Sequence, residues 1–283
     1  MSAPTPRKES PGDKGVKRHA KFFGGWLATL VLAVAAAGSA SAMPVGFDLG
    51  EGRLDLLSRY VWRGFDLAHG LVVAPSLRIG LAGQDVAGIG RDGLALELRG
   101  ATPLRDRTRQ RGADELDAGL WLTHAFDPHR QYEGRLGYVE YDYPSGRAGL
   151  RHARELAGTF TCDVQLDETR GIRVRPHVTL VYNVAAFDAP YVELGLGQSL
   201  GTRGKRLAYE LRVAGSRFGQ FNTGGNQAFG FHEAEFEVRF ELEKQIAETH
   251  LQFGPVAGVS RAAKRINSDR NEYWWGASVG FRR

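Results

Sequence analysis

From Arg53 to Phe281 apolar side chains alternate with polar or charged ones, in run after run of about ten residues. Successive side chains of a strand point to opposite sides, so this period of two writes strands with one apolar and one polar face. The cleanest run is Phe231–Glu243. There Ala234, Phe236, Val238, Phe240 and Leu242 alternate with Glu233, Glu235, Glu237, Arg239, Glu241 and Glu243. The chain closes on Tyr273–Phe281, where Tyr273, Trp275, Ala277, Val279 and Phe281 share one face, and only Arg282 and Arg283 follow.

About twelve strands are read in this way. The first is Arg53–Phe65, with Leu54, Leu56, Tyr60 and Trp62 on one face and Asp55, Arg59 and Arg63 on the other. Val73–Leu81 sets Val73, Leu77, Ile79 and Leu81 against Ser76 and Arg78, and Leu94–Ala101 sets its leucines against Glu97 and Arg99. Glu115–Phe126 places Glu115, Asp117 and Thr123 opposite Leu116, Ala118, Leu120 and Leu122. In Tyr132–Tyr143 the facing slips near Val139, which a bulge would explain. Glu155–Leu166, Ile172–Tyr182 and Tyr191–Leu200 follow. Their polar faces include Asp163, then Arg173, Arg175 and His177, then Glu193. Leu207–Ala214 carries Glu210 and Arg212, and Thr249–Ser260 precedes the terminal run. Few stretches have helical period, and 37 glycines suit many turns and closely spaced strands.

Residues 1–42 read differently. A basic stretch (Arg7, Lys8, Lys14, Lys17, Arg18 and Lys21) precedes a largely apolar Phe22–Ala37 and a small-residue Ala40-Ser41-Ala42. This is the pattern of a secretory signal peptide cleaved before Met43, and the apolar core is short for a spanning helix. The alternative is an uncleaved N-terminal anchor. No Arg-Arg pair precedes the apolar core, so the general secretory route is expected. This segment holds six of the 37 Lys/Arg and two of the 32 Asp/Glu, leaving 31 against 30 in residues 43–283, a net of +1. The basic excess belongs to the leader, and no nucleic-acid partner is expected.

A soluble sandwich also alternates, with its apolar face inward. Three features favour a membrane barrel: strands long enough to cross a bilayer at a tilt, a polar face dense in both charges, and an even strand number. Connection lengths agree. With both termini in the periplasm, Ala101–Asp114, Gly215–Gly230 and Arg261–Asn271 are outside and long. Asp127–Gln131, Asp167–Gly171, Gly201–Arg206 and Lys244–Glu248 are inside and short. Ala82–Asp92 is inside yet long. The expected fold is an all-β transmembrane antiparallel barrel of about 12 strands over residues 43–283, in the outer membrane of a Gram-negative cell. Its terminal strand would pair with Arg53–Phe65 and be read by the barrel-assembly machinery.

Ser58-Arg-Tyr-Val-Trp-Arg-Gly-Phe65, Pro75-Ser76-Leu77, Gly137-Tyr-Val-Glu-Tyr-Asp-Tyr-Pro144 and Tyr191-Val-Glu-Leu-Gly195 resemble segments of a group of poorly characterised outer-membrane proteins that includes TorF-like barrels. The resemblance spans roughly residues 53–281. It implies a barrel and no settled activity.

Catalytic patterns are sparse. Lipid A deacylases and outer-membrane phospholipases resemble one another in carrying a histidine two residues before a serine, and none of the eight histidines has that spacing. There is no Gly-x-Ser-x-Gly elbow, and His232-Glu233 lacks the second histidine of a zinc motif. The single cysteine, Cys162, reads as a small apolar strand residue. No cofactor or metal is expected.

The sharpest feature is the acidic row Glu233, Glu235, Glu237, Glu241 and Glu243. It needs basic neighbours or bound cations to offset its repulsion. Arg212 and Arg261 are candidate partners, and a cation-favouring pore lining is the functional reading. Arg59 and Arg63 pair with this row or face an anionic solute. The lumen-lining candidates are therefore Asp55, Arg59, Arg63, Arg78, Glu97, Arg99, Glu115, Asp117, Arg173, Arg175, His177, Glu193, Glu210, Arg212, Glu233, Glu235, Glu237 and Arg239. Arg105, Arg107, Arg109 and Arg111 lie in an expected outer loop and suit the phosphates of lipopolysaccharide. Trp62, Trp121, Trp274, Trp275 and Tyr273 are candidates for the interfacial aromatic girdles, with Trp121 alternatively plugging the lumen. The expected function is a narrow passive channel, porin-like, or a structural or surface-binding barrel. The alternative is an outer-membrane hydrolase acting on lipid or peptide.

Overall fold

The computed structural model describes residues 47–63, 65–81, 92–104, 115–127, 129–143, 152–184, 189–201, 204–217, 229–263 and 271–282. They form twelve antiparallel strands in chain order: β1 (Phe47–Trp62), β2 (Phe65–Leu81), β3 (Asp92–Pro103), β4 (Glu115–Ala125), β5 (Tyr132–Asp142), β6 (His152–Cys162, resuming as Val164–Asp167), β7 (Ile172–Asn183), β8 (Ala189–Leu200), β9 (Lys205–Arg217), β10 (Phe229–Ile246), β11 (Thr249–Ala262) and β12 (Asn271–Arg282). Each strand pairs with its chain neighbours, and both pieces of β6 pair with β7. Closure comes from β1 against β12, from Glu51↔Arg282 to Leu57↔Gly276. The terminal run thus meets the first strand, and no edge is left unpaired.

The two faces separate by chemistry. In β4 burial alternates without a break from Glu115 to Trp121, with Glu115 and Asp117 inside and Leu116 and Leu120 outside. Leu120 is 52% exposed, Leu136 67% and Trp275 71%. An apolar belt of this extent, on strands of 11 to 18 residues, suits hydrocarbon rather than water. This is a transmembrane barrel.

Three expectations are corrected. First, β1 begins at Phe47, and β2 begins at Phe65 rather than Val73, so only Arg63 and residue 64 connect them. Alternation fails there because register shifts occur between Leu57 and Arg59 and between Tyr60 and Val61. Opposite the first shift, Gly70 has φ 85°, the left-handed conformation a bulge needs. The shifts turn Tyr60 and Trp62 into the interior, where Tyr60 packs with Leu57 and Trp274. Second, β5 has no bulge, and its register with β4 and β6 is unbroken. The apparent slip arises because Val139 and Tyr141 point into the lumen and are buried. Third, Trp62 and Trp274 also face inward, so of the aromatic candidates only Tyr273 and Trp275 stand on the outer surface.

The leader (1–42), the arginine-rich segment 105–111, residues 218–228 of the Gly215–Gly230 connection and the long connection 82–91 lie outside the described residues.

Candidate functional site

The β1–β2 hairpin does not stop at the barrel wall. Its tip residue, Arg63, reaches Glu155 on β6 with two parallel bonds, Nη1 to Oε1 at 2.7 Å and Nη2 to Oε2 at 2.9 Å. Its guanidinium lies 4.5 Å from the Trp62 ring centroid and 4.6 Å from that of Tyr191 on β8. Its carbonyl oxygen is 3.0 Å from Nε2 of His232 on β10. In a ring of twelve strands, β6 to β10 lie across the lumen from β1 and β2. The bulged hairpin therefore bends over the interior and is fastened to the opposite wall.

This fastening is a built site. Tyr141 Oη donates to Glu155 Oε2 at 2.9 Å, and the Trp62 and Tyr141 rings meet edge-on at 5.4 Å. Glu155 is 2% exposed, so its charge needs the bidentate guanidinium and the phenol. Arg63 holds φ 45°, uncommon for a residue with a Cβ. The contacts that hold it there outweigh a cost of about 1–3 kcal/mol.

Ser216 Oγ lies 2.6 Å from His232 Nδ1. The Arg63 carbonyl can only accept, so Nε2 carries the proton, and Nδ1 accepts from the Ser216 hydroxyl. A serine donating to an imidazole is the start of a nucleophile pair. Here both residues are 0% exposed, and the histidine's other nitrogen is spent on the hairpin. The pair clamps the tip in place and leaves no room for a substrate carbonyl.

Toward the rim that carries the termini, the lumen opens into two cavities of about 520 and 650 Å³. Arg63, His177, Glu193, Glu233 and Glu235 line the first, and Asp55, Arg173, Glu237 and Arg239 line the second. Arg78, Glu97, Arg99, Arg175, Glu210 and Arg212 border both. Three expected lining residues border neither. The bulge carries Arg59 against Glu272, with which it pairs, and Glu115 and Asp117 are covered on the inner face of β4.

The acidic row is offset largely by arginines. Arg212 on β9 binds Glu235, Arg239 Nε donates to Glu237 at 2.6 Å, and Arg206 Nε donates to Glu241 at 2.7 Å. Glu243 lies 2.5 Å from His250 Nδ1. Arg239 also crosses to Asp55 on β1 at 3.2 Å. Arg261 is paired in register with Ala234 on the outward parity and is exposed. Arg59 and Arg63 pair with acids, but with Glu272 and Glu155 rather than with the row.

Trp121 is 9% exposed inside the barrel and forms part of the first cavity's wall, with the Arg135 guanidinium 4.6 Å from its ring centroid. It lies flat because Gly137 is opposite; a Cβ there would sit 2.3 Å from Trp121 Cε3. The parity of Trp121 was readable in sequence. The Ser216–His232 pair and the Tyr141–Glu155 bond were not, since they depend on the register between neighbouring strands and on side-chain reach, which alternation alone does not set. Among the described residues no group of three His, Cys, Asp or Glu is arranged to hold a metal ion.

No family model matches the chain, and no curated protein matches it. Solved structures do. An outer membrane channel from Pseudomonas putida F1 is 14% identical over 85% of this chain and 96% of its own, with TM-score 0.46. LpxR from Salmonella typhimurium is 10% identical over 82% and 100%, with TM-score 0.44. A bacterial polysaccharide outer membrane secretin is 9% identical over 83% and 98%, with TM-score 0.45. At these values no residue role passes from them to this chain.

Proposed function

We propose that the protein is a narrow outer-membrane channel held closed by the tip of its β1–β2 hairpin. The observation that carries the reading is the Arg63 fastening, a bidentate, ring-sandwiched ion pair that joins the tip to the opposite wall beside a cavity lined with charged residues. A purely structural barrel has no need of such a cavity, and a hydrolase needs an accessible nucleophile, whereas Ser216 is fully buried. The segments that resemble TorF-like barrels bear on the same place. Ser58–Phe65 supplies the tip, Gly137–Pro144 supplies Tyr141, and Tyr191–Gly195 supplies the stacking ring and Glu193. This convergence supports the proposal that the chain belongs with that group.

In this reading residues 1–42 are removed on export through the general secretory route. The apolar belt meets outer-membrane lipid, and Arg105, Arg107, Arg109 and Arg111 meet lipopolysaccharide phosphates. The assembly machinery reads β12. The acidic row favours cations once the tip is released. Planar-bilayer recording is the test. Discrete openings are expected, with smaller conductance and weaker cation preference in a Glu235→Gln/Glu237→Gln variant, which removes one carboxylate partner from each of Arg212 and Arg239. A barrel that never conducts but hydrolyses lipid or peptide overturns the reading.

A further inference from the structure

The 520 Å³ cavity has two walls of opposite charge. On one, the single carboxylate of Glu97 is shared by three guanidiniums: Arg135, Arg99 at 3.3 Å and Arg78 at 3.8 Å. These residues stand on β2, β3 and β5. On the other wall Glu193, Glu210, Glu233 and Glu235 stand on β8 to β10; Arg212 reaches Glu210 and Glu235, and the imidazole of His177 lies 3.6 Å from Glu193. In the ring of twelve, β3 is diametrically placed from β9. The first wall therefore holds more guanidiniums than carboxylates, and the second holds more carboxylates than guanidiniums.

Two side chains mark where a ligand would complete the pairing. Oε2 of Glu233, a residue 4% exposed, has no hydrogen-bond partner among the described residues, while Oε1 accepts from Tyr191 at 2.8 Å. Arg175, on β7 between the two walls, borders the cavity with no ion-pair partner among the described residues.

We propose that this cavity binds a small zwitterionic solute whose anionic and ammonium groups are several bonds apart, such as an ω-amino carboxylate or a short unblocked peptide. Its anion meets the Arg78/Arg99/Arg135 wall and its ammonium meets Glu233 and Glu235. A volume of 520 Å³ is within the usual range for such ligands. A low-dielectric barrel wall strengthens both contacts. The assignment rests on the channel reading only in taking the cavity as the solute's vestibule.

Isothermal titration of the full barrel in detergent with aminohexanoate, hexanoate and hexylamine separates the cases. Aminohexanoate is expected to bind. Hexanoate and hexylamine, and aminohexanoate with Arg135→Gln or Glu233→Gln, are expected to bind at least about tenfold more weakly, as loss of one charge-assisted contact implies. Each variant is first checked for retained heat-modifiable gel mobility, and Arg175→Gln serves as a second cationic variant if Arg135→Gln does not fold. Hexanoate or hexylamine binding as well as aminohexanoate overturns the proposal, as does no binding by any probe. Bilayer conductance on the same preparation keeps the two readings apart. Binding without conductance overturns the channel and leaves the site; conductance without binding overturns the site alone.

Discussion

Arg63 shows how much one residue carries when its neighbours are distant in sequence. Alternation placed it on a polar face, and charge alone said that it pairs or meets an anion. Its partner, Glu155, is 92 positions away, beyond the reach of periodicity. Arginine rather than lysine suits the position, because a planar fork can hold a carboxylate with two bonds while stacking between two rings. Trp121 illustrates the complementary case. Its inward parity was legible, but the reason it fits, bare backbone at Gly137, was not. A Gly137→Val substitution puts branched carbon where the indole lies. It is expected to cost about 1–3 kcal/mol, as overpacking does, and to move Trp121 fluorescence toward that of a wetter indole. Unchanged stability and emission would mean that the ring does not depend on that glycine.

At the scale of elements, most of the barrel was readable because a strand with lipid outside and water or ion pairs inside has to alternate. β4 and β10 are the plainest, and their inward acids came through intact. Legibility failed where the interior stopped being polar or the ladder stopped being regular. Val139 and Tyr141 turn inward in an unbroken β5 and imitate a slip. In β1 and β2 the register shifts invert the parity of Tyr60 and Trp62 and hide the seven strand residues between Phe65 and Val73. The outer face has its own test. Leu120→Arg places a cation in the apolar belt at mid-strand, where the penalty is about 2–4 kcal/mol. Urea unfolding in lipid vesicles is expected to register that loss, while Leu120→Ile stays near wild type. No loss with arginine would mean that β4 does not face hydrocarbon.

For the whole molecule, the sequence pattern led to a closed twelve-strand barrel with charge inside, and the closure of β1 on β12 was foreseen from the terminal alternation. What it could not convey is the proposed interruption of the lumen. The interruption depends on a hairpin leaving its wall and on a carboxylate, two phenols and a histidine from four other strands meeting it. Removing one member of a buried ion pair typically costs about 3–5 kcal/mol, enough to turn a rarely open state into a common one. The most direct measurement is single-channel open probability for wild type, Arg63→Ala and Glu155→Gln under one voltage protocol. Wild type is predicted to be closed most of the time, and both variants to be open most of the time at similar unitary conductance. Equal open probability in all three would contradict the claim that the hairpin tip closes the lumen.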